Sequence, residues 1–171
     1  FMKKAVLILF IITLGFICYY LNPEEALPQN IHIDKLVVLK SERLLQAYSK
    51  GDLIKSYKIS LGGNPIGHKV CENDNKTPEG IYYITDKNAN SDFYKNLHIS
   101  YPNKSDKLNA TKLGLQPGGG IKIHGLKNNL GFLGKIHRWY DWTEGCIAIT
   151  NNEIDELFTA INIGTEINIK P

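Results

Sequence analysis

Between Lys35 and Ile169 the apolar residues fall in short runs, and each run is cut off by Gly, Pro, Asn or Asp. Runs of five to eight residues bounded by turn formers are too short for most helices and fit strands. The expected strands are Lys35–Leu39, Arg43–Tyr48, Leu53–Ser60, Ile81–Thr85, Leu97–Tyr101, Gly120–His124, Cys146–Thr150 and Glu166–Ile169. The first three, joined by tight connections at Ser41-Glu42 and Gly51-Asp52, predict a meander. This spacing predicts a mainly β domain, a sandwich or small barrel, with a few short helices.

Two helices interrupt the pattern. Ser105–Leu113 has helical character and stops at Gly114, a residue suited to the position after a helix end. Thr150-Asn151-Asn152-Glu153 fits a capping box, in which the Thr hydroxyl and Glu carboxylate each satisfy a free backbone N–H. Ile154, Leu157, Phe158 and Ile161 then recur at the spacing of one helical face and are expected in the core.

The N-terminus constrains the compartment. Met2-Lys3-Lys4 precedes Ala5–Leu21, 17 residues without a charged side chain. A basic start followed by an apolar run marks a signal sequence or signal anchor, and this run is at the short end of what crosses a bilayer. No Ala-x-Ala site follows, and Ile17 before Cys18 is too large for a lipoprotein signal. Residues 1–21 are therefore expected to be an uncleaved anchor, with a removed signal peptide as the alternative. Lys3 and Lys4 would hold the N-terminus in the cytoplasm and send the rest outward. Residues 22–32, with Pro23 and Pro28, are expected to be a linker, and residues 33–171 a single domain with a real core.

Without Lys3, Lys4, Glu24 and Glu25 the chain has 18 basic and 15 acidic residues, a net charge of +3. So mild a balance argues against nucleic acid as a partner. Cys18, Cys71 and Cys146 do not make a disulfide framework, and there is no CxxC or HExxH. No metal or cofactor is expected. Pro117-Gly118-Gly119-Gly120 leads into a strand, so it lacks the helix N-terminus of a phosphate cradle.

The chemistry centres on Cys146, in Trp142-Thr143-Glu144-Gly145-Cys146-Ile147, and on His124, in Ile121-Lys122-Ile123-His124-Gly125. A thiol and an imidazole are the minimum set for cysteine acyl transfer, because a free thiol is only a few per cent thiolate at neutral pH. Gly145 allows a sharp turn before the thiol, with backbone N–H groups aimed at a developing oxyanion. His137, nine residues before Cys146, is the competing base. The bland alternative for Cys146 is a small core residue in an apolar strand.

These segments resemble the L,D-transpeptidase catalytic domain, also called YkuD, in its YafK-like subgroup. The resemblance rests on His124-Gly125, Thr143-Glu144-Gly145-Cys146-Ile147, Asn64–Lys69, Thr77–Gly80, Leu97–Pro102 and Asp141-Trp142-Thr143, in the family's order. It implies a YkuD-like β fold and Cys146 as the acyl-accepting thiol. His124 would be its base, oriented by the carbonyl of Gly125, and the amides of Glu144, Gly145 and Cys146 would form the oxyanion hole. Glu144 and Ala148 depart from the His and Arg usual in the broader family, which bears on the choice of substrate and acceptor. Glu144 is expected to point away from the thiol, toward an incoming amine. The segments Gly62–Gly80 and Lys127–Asp141 are expected to border the cleft, with His68, His137, Arg138, Trp142 and Thr143 as candidate substrate-binding residues.

The implied activity is a peptidoglycan L,D-transpeptidase. It would act on stem peptides from the extracytoplasmic, periplasmic side of a bacterial envelope, making crosslinks or attaching a wall-linked protein. An L,D-hydrolase of the same fold and a non-catalytic wall-binding domain are the alternatives.

Overall fold

A computed structural model describes residues 2–171. Helix α1 (Met2–Leu21) is 20 residues long, apolar and without a buried residue, long and apolar enough to cross a membrane. Strands β1 (Ile33–Leu39), β2 (Leu44–Ser49) and β3 (Asp52–Lys58) form the expected antiparallel meander. Strands β4 (Gly80–Ser91) and β5 (Tyr94–Ile99) make a hairpin, and helix α2 (Lys104–Lys112) follows. Strand β6 (Lys122–His124) leads through a kinked 3-10 segment (Gly131–Trp139) to β7 (Ile147–Ala148). Helix α3 (Asn151–Ala160) and strand β8 (Ile161–Lys170) close the chain.

The fold is mainly β, as expected. All eight strands join one mixed sheet in the order β3-β2-β1-β8-β4-β5-β6-β7, curled into a half-barrel. Only β1–β8 and β6–β7 are parallel. The last strand therefore lies in the middle of the sheet, and the nucleophile candidate sits at its far edge. Ile33, Leu36, Val38, Leu45, Tyr57, Ile84, Ile99, Ile123, Ile147 and Ile167 form one core with Ile154 and Leu157 of α3.

The hairpin runs further than the apolar pattern predicts. Asp86, Lys87 and Asn88 are poor strand formers, yet they pair with His98, Leu97 and Asn96. Cross-strand pairing outweighs their intrinsic preference. Ile161 is buried as expected, but it begins β8 rather than ending the helix. Its extended backbone (φ −106°, ψ 139°) turns the chain back to pair with Ile33. Leu27 and Ile31, in the stretch expected as a linker, pack against the core, and the Leu27 N–H donates to Glu156.

Helix α3 begins with the predicted capping box. The Glu153 N–H donates to Thr150 Oγ1 at 3.4 Å, and the Thr150 N–H donates to Glu153 Oε2 at 2.9 Å. The Thr150 hydroxyl also donates to that carboxylate at 2.7 Å, and Arg138 reaches its other oxygen at 2.6 Å. Helix α3 buries Ile154 and Leu157 against β5 and β6, so the cap helps to fix the strand that carries His124. Thr150→Ala is expected to lower the free energy of unfolding by about 1–2 kcal/mol in urea titration.

Candidate active site

The parallel pair β6–β7 sets the geometry. Ile123 lies opposite Ile147 and His124 opposite Ala148, and both isoleucines are fully buried in the core. Side chains alternate across a strand, so Lys122 and His124 face away from that core. The same register places Cys146, just before β7, beside Lys122 on that face. All three line one cleft of about 680 Å³.

Cys146 is reached through a tight turn. Gly145 has φ +127°, and a Cβ there would stand 2.5 Å from the Lys76 carbonyl oxygen and 3.2 Å from Ile121. Only glycine fits that position. The Thr143 hydroxyl donates to the Cys146 carbonyl at 2.7 Å and accepts the Gly145 N–H at 3.2 Å. This corrects one expectation: the Gly145 amide is occupied within the turn and does not face the cleft as a free donor. The amides of Glu144 and Cys146 have no such partner among the described residues. Thr143 is buried and holds the turn from behind while lining the cleft wall.

The His124 ring is held in one tautomer. Its Nδ1 lies 2.7 Å from the Gly125 carbonyl, which can only accept, so Nδ1 carries the proton and Nε2 keeps a lone pair. Phe93 and Trp142 flank the ring, with centroids 4.7 Å and 5.7 Å away. A Cβ at Gly125 would come within 2.7 Å of Asn151 Oδ1, so a bare backbone is needed for this packing.

Burial dominates the electrostatics. It lowers the His124 pKa to about 4, against a raising contribution from the Gly125 hydrogen bond, and the Lys122 charge lowers it further. Burial also raises the Cys146 thiol above its ordinary value. The Lys122 backbone N–H and ammonium, and Lys69 further off, pull the thiol down, while Glu144 pushes it up. Both shifts favour the neutral thiol and the neutral imidazole. Glu144 is exposed on the cleft rim, and its charge opposes ionisation of the thiol.

The other candidates divide. His137 and Trp142 line the cleft. The Ser60 hydroxyl donates to the His137 carbonyl at 2.8 Å and stands 3.2 Å from His137 Nδ1, and burial lowers the His137 pKa to about 3. Arg138 does not reach the cleft. Its guanidinium is held by Glu24 at 2.7 Å and Glu153 at 2.6 Å, so it is an internal clamp rather than a substrate-binding group. His68 is also placed elsewhere: its Nδ1 accepts the Glu79 N–H at 2.9 Å and Nε2 lies 3.3 Å from Asp106. Among the described residues no group of three or more His, Cys, Asp or Glu could hold a metal.

Lys122 and Phe93 are among the cleft residues that sequence reasoning missed. Lys122 was legible in principle, since it lies two residues before His124 on a strand and must share its face. Phe93 belongs to the turn between β4 and β5, and only the fold brings it to His124.

The model of the YkuD L,D-transpeptidase catalytic domain matches residues 33–169. The chain belongs to the YkuD L,D-transpeptidase family. It is 32% identical over 127 residues to the Escherichia coli K12 protein named "Putative L,D-transpeptidase YafK", covering 71% of this chain and 44% of that one. Among solved structures it is similar to Pgp2, a helical cell shape determining protein of Campylobacter jejuni, with 25% identity and a TM-score of 0.62 over 82% of this chain and 48% of Pgp2. Bd1075 of Bdellovibrio bacteriovorus shares the fold, with a TM-score of 0.56 at 22% identity over 85% of this chain and 50% of that one. The chain thus spans about half the length of these relatives.

Membership of the YkuD family makes the titration of Cys146 the property to measure. Iodoacetamide labelling of Cys146, read by peptide mass spectrometry as a function of pH, should show a midpoint above that of a free cysteine. Lys122→Met removes a cation that favours thiolate, so the midpoint should rise. Glu144→Gln removes an anion that opposes it, so the midpoint should fall. A midpoint below neutrality would instead indicate a resting thiolate–imidazolium pair.

Proposed function

We propose that this chain is a cysteine L,D-transpeptidase acting on the stem peptides of peptidoglycan. The observation that carries the proposal is the shared face of β6 and β7, on which Cys146 and a singly protonated His124 line one cleft. In this mechanism His124 Nε2 takes the thiol proton as sulfur attacks the carbonyl of the L-centre. The amides of Glu144 and Cys146 receive the oxyanion. The tetrahedral adduct collapses, His124 protonates the departing amine of the D-residue, and a thioester remains. An incoming amine, deprotonated by His124, then forms the new amide and regenerates the thiol.

The apolar walls of the cleft, among them Phe93, Leu133 and Trp142, would keep water from the thioester long enough for an amine to arrive. The N-terminal helix would anchor the domain on the extracytoplasmic side of the membrane. A role in cell shape is consistent with the similarity to Pgp2.

Incubation with a carbapenem should add one β-lactam mass to the protein, visible by intact-mass spectrometry. Cys146→Ser should abolish the adduct, and His124→Ala should slow its formation. Because thiol and base act as a unit, the double variant should be little worse than either single variant in peptide turnover. If His137→Ala stops turnover and His124→Ala does not, the base is misassigned.

Tetrapeptide muropeptide supplied with an amine-bearing stem should yield a crosslinked dimer. Release of stem peptide from a preformed dimer or a wall-linked protein, without transfer, would make the enzyme an L,D-hydrolase. No reaction and no adduct would point to a wall-binding domain.

A further inference from the structure

The 3-10 segment Gly131–Trp139 is apolar on both sides, which the reaction alone does not require. Toward the cleft it presents Leu133, Ile136 and His137. Away from the cleft Phe132 and Trp139 are 68% and 61% exposed. Large aromatics bared together on a surface segment mark an interaction site.

This segment is bound to the outward end of α1. Trp139 meets Phe16 at a ring distance of 5.9 Å and Tyr19 at 6.4 Å. The Tyr20 hydroxyl donates to the Phe132 carbonyl. The Lys135 ammonium donates to the carbonyls of Tyr19 and Asn22, where the helix dipole favours a cation. Glu24, just beyond the helix, pairs with Lys135 at 3.3 Å and with Arg138 at 2.7 Å. Arg138 in turn bonds Glu153 of α3, which ties the helix exit to the body of the domain.

The helix then fixes a depth. Its uncharged run Ala5–Leu21 measures about 26 Å at 1.5 Å per residue, slightly under the roughly 30 Å of a bilayer's hydrocarbon core. Phe16 lies five residues before the helix end at Leu21, about 7–8 Å inside it at that rise. Trp139, level with Phe16 and Tyr19, falls at the boundary between hydrocarbon and headgroups, where Trp and Tyr rings are favoured. Resting on the anchor reading above, we propose that the outer face of the 3-10 segment, Phe132 and Trp139, is seated in the membrane interface. The cleft wall is then part of the membrane contact, and the site is held against the bilayer, where it meets stem peptides close to the membrane surface.

The chain has two tryptophans, Trp139 and Trp142. Full-length Trp142→Phe, reconstituted into phosphatidylcholine vesicles, reports on Trp139 alone. Its emission should be blue-shifted. Lipids brominated near the headgroup should quench it more strongly than lipids brominated near the chain ends. Full-length Trp139→Phe, reporting on Trp142 inside the cleft, should be quenched much less. If the protein floats with the vesicles but Trp139 is unquenched, the seating is wrong while the anchor stands. Blue-shifted yet unquenched emission would mean that a second copy or another part of the chain covers the face, which also overturns it. If the protein does not float with the vesicles, the anchor reading fails and the seating fails with it.

Discussion

The site depends on one parallel strand pair. β6 and β7 are short, and neither would hold its place alone. Burial of Ile123 and Ile147 in the common core locks their register. A slip of one residue would turn both isoleucines to solvent and drive His124 into the core. The same apolar contacts that stabilise the edge of the sheet therefore present Lys122, His124 and Cys146 together to the cleft. Helix α3 packs on β5 and β6, and its capping box and the Arg138–Glu153 contact set where that helix begins.

Burial has a chemical consequence as well. A desolvated thiol and a desolvated imidazole both prefer their neutral forms. Burial thus works against a stored ion pair and favours proton transfer on attack. Lys122 and Glu144 act in opposite senses on the thiol from either side, so the protonation of Cys146 is set by a local charge balance superimposed on burial. The turn that carries the thiol adds its own constraint. Thr143 uses its hydroxyl to hold both the Gly145 amide and the Cys146 carbonyl, which stiffens the loop and withdraws one amide from the cleft.

The 3-10 segment links this chemistry to the N-terminal helix. One of its faces lines the cleft and the other meets α1, through aromatic contacts, a lysine on the helix C-terminus and the Glu24 ion pairs. Movement of the helix exit relative to the domain would be felt at Leu133, Ile136 and His137.

The sequence by itself determined the apolar helix, the β character of the domain, the capping box of α3 and the two motifs that carry Cys146 and His124. Each of these is a local property: a hydrophobic run, a period, a cap, or a short stretch with Gly beside a reactive side chain. The tertiary structure alone decided which distant elements became neighbours. It extended β4 through the polar Asp86–Ser91, put β8 between β1 and β4, and brought Phe93 onto His124. It also removed His68 and Arg138 from the cleft by giving them carboxylate partners, and tied up the Gly145 amide. A residue's type states what it can bond. Which partner it finds depends on chain segments tens of residues away, and that is settled only when the whole core has packed.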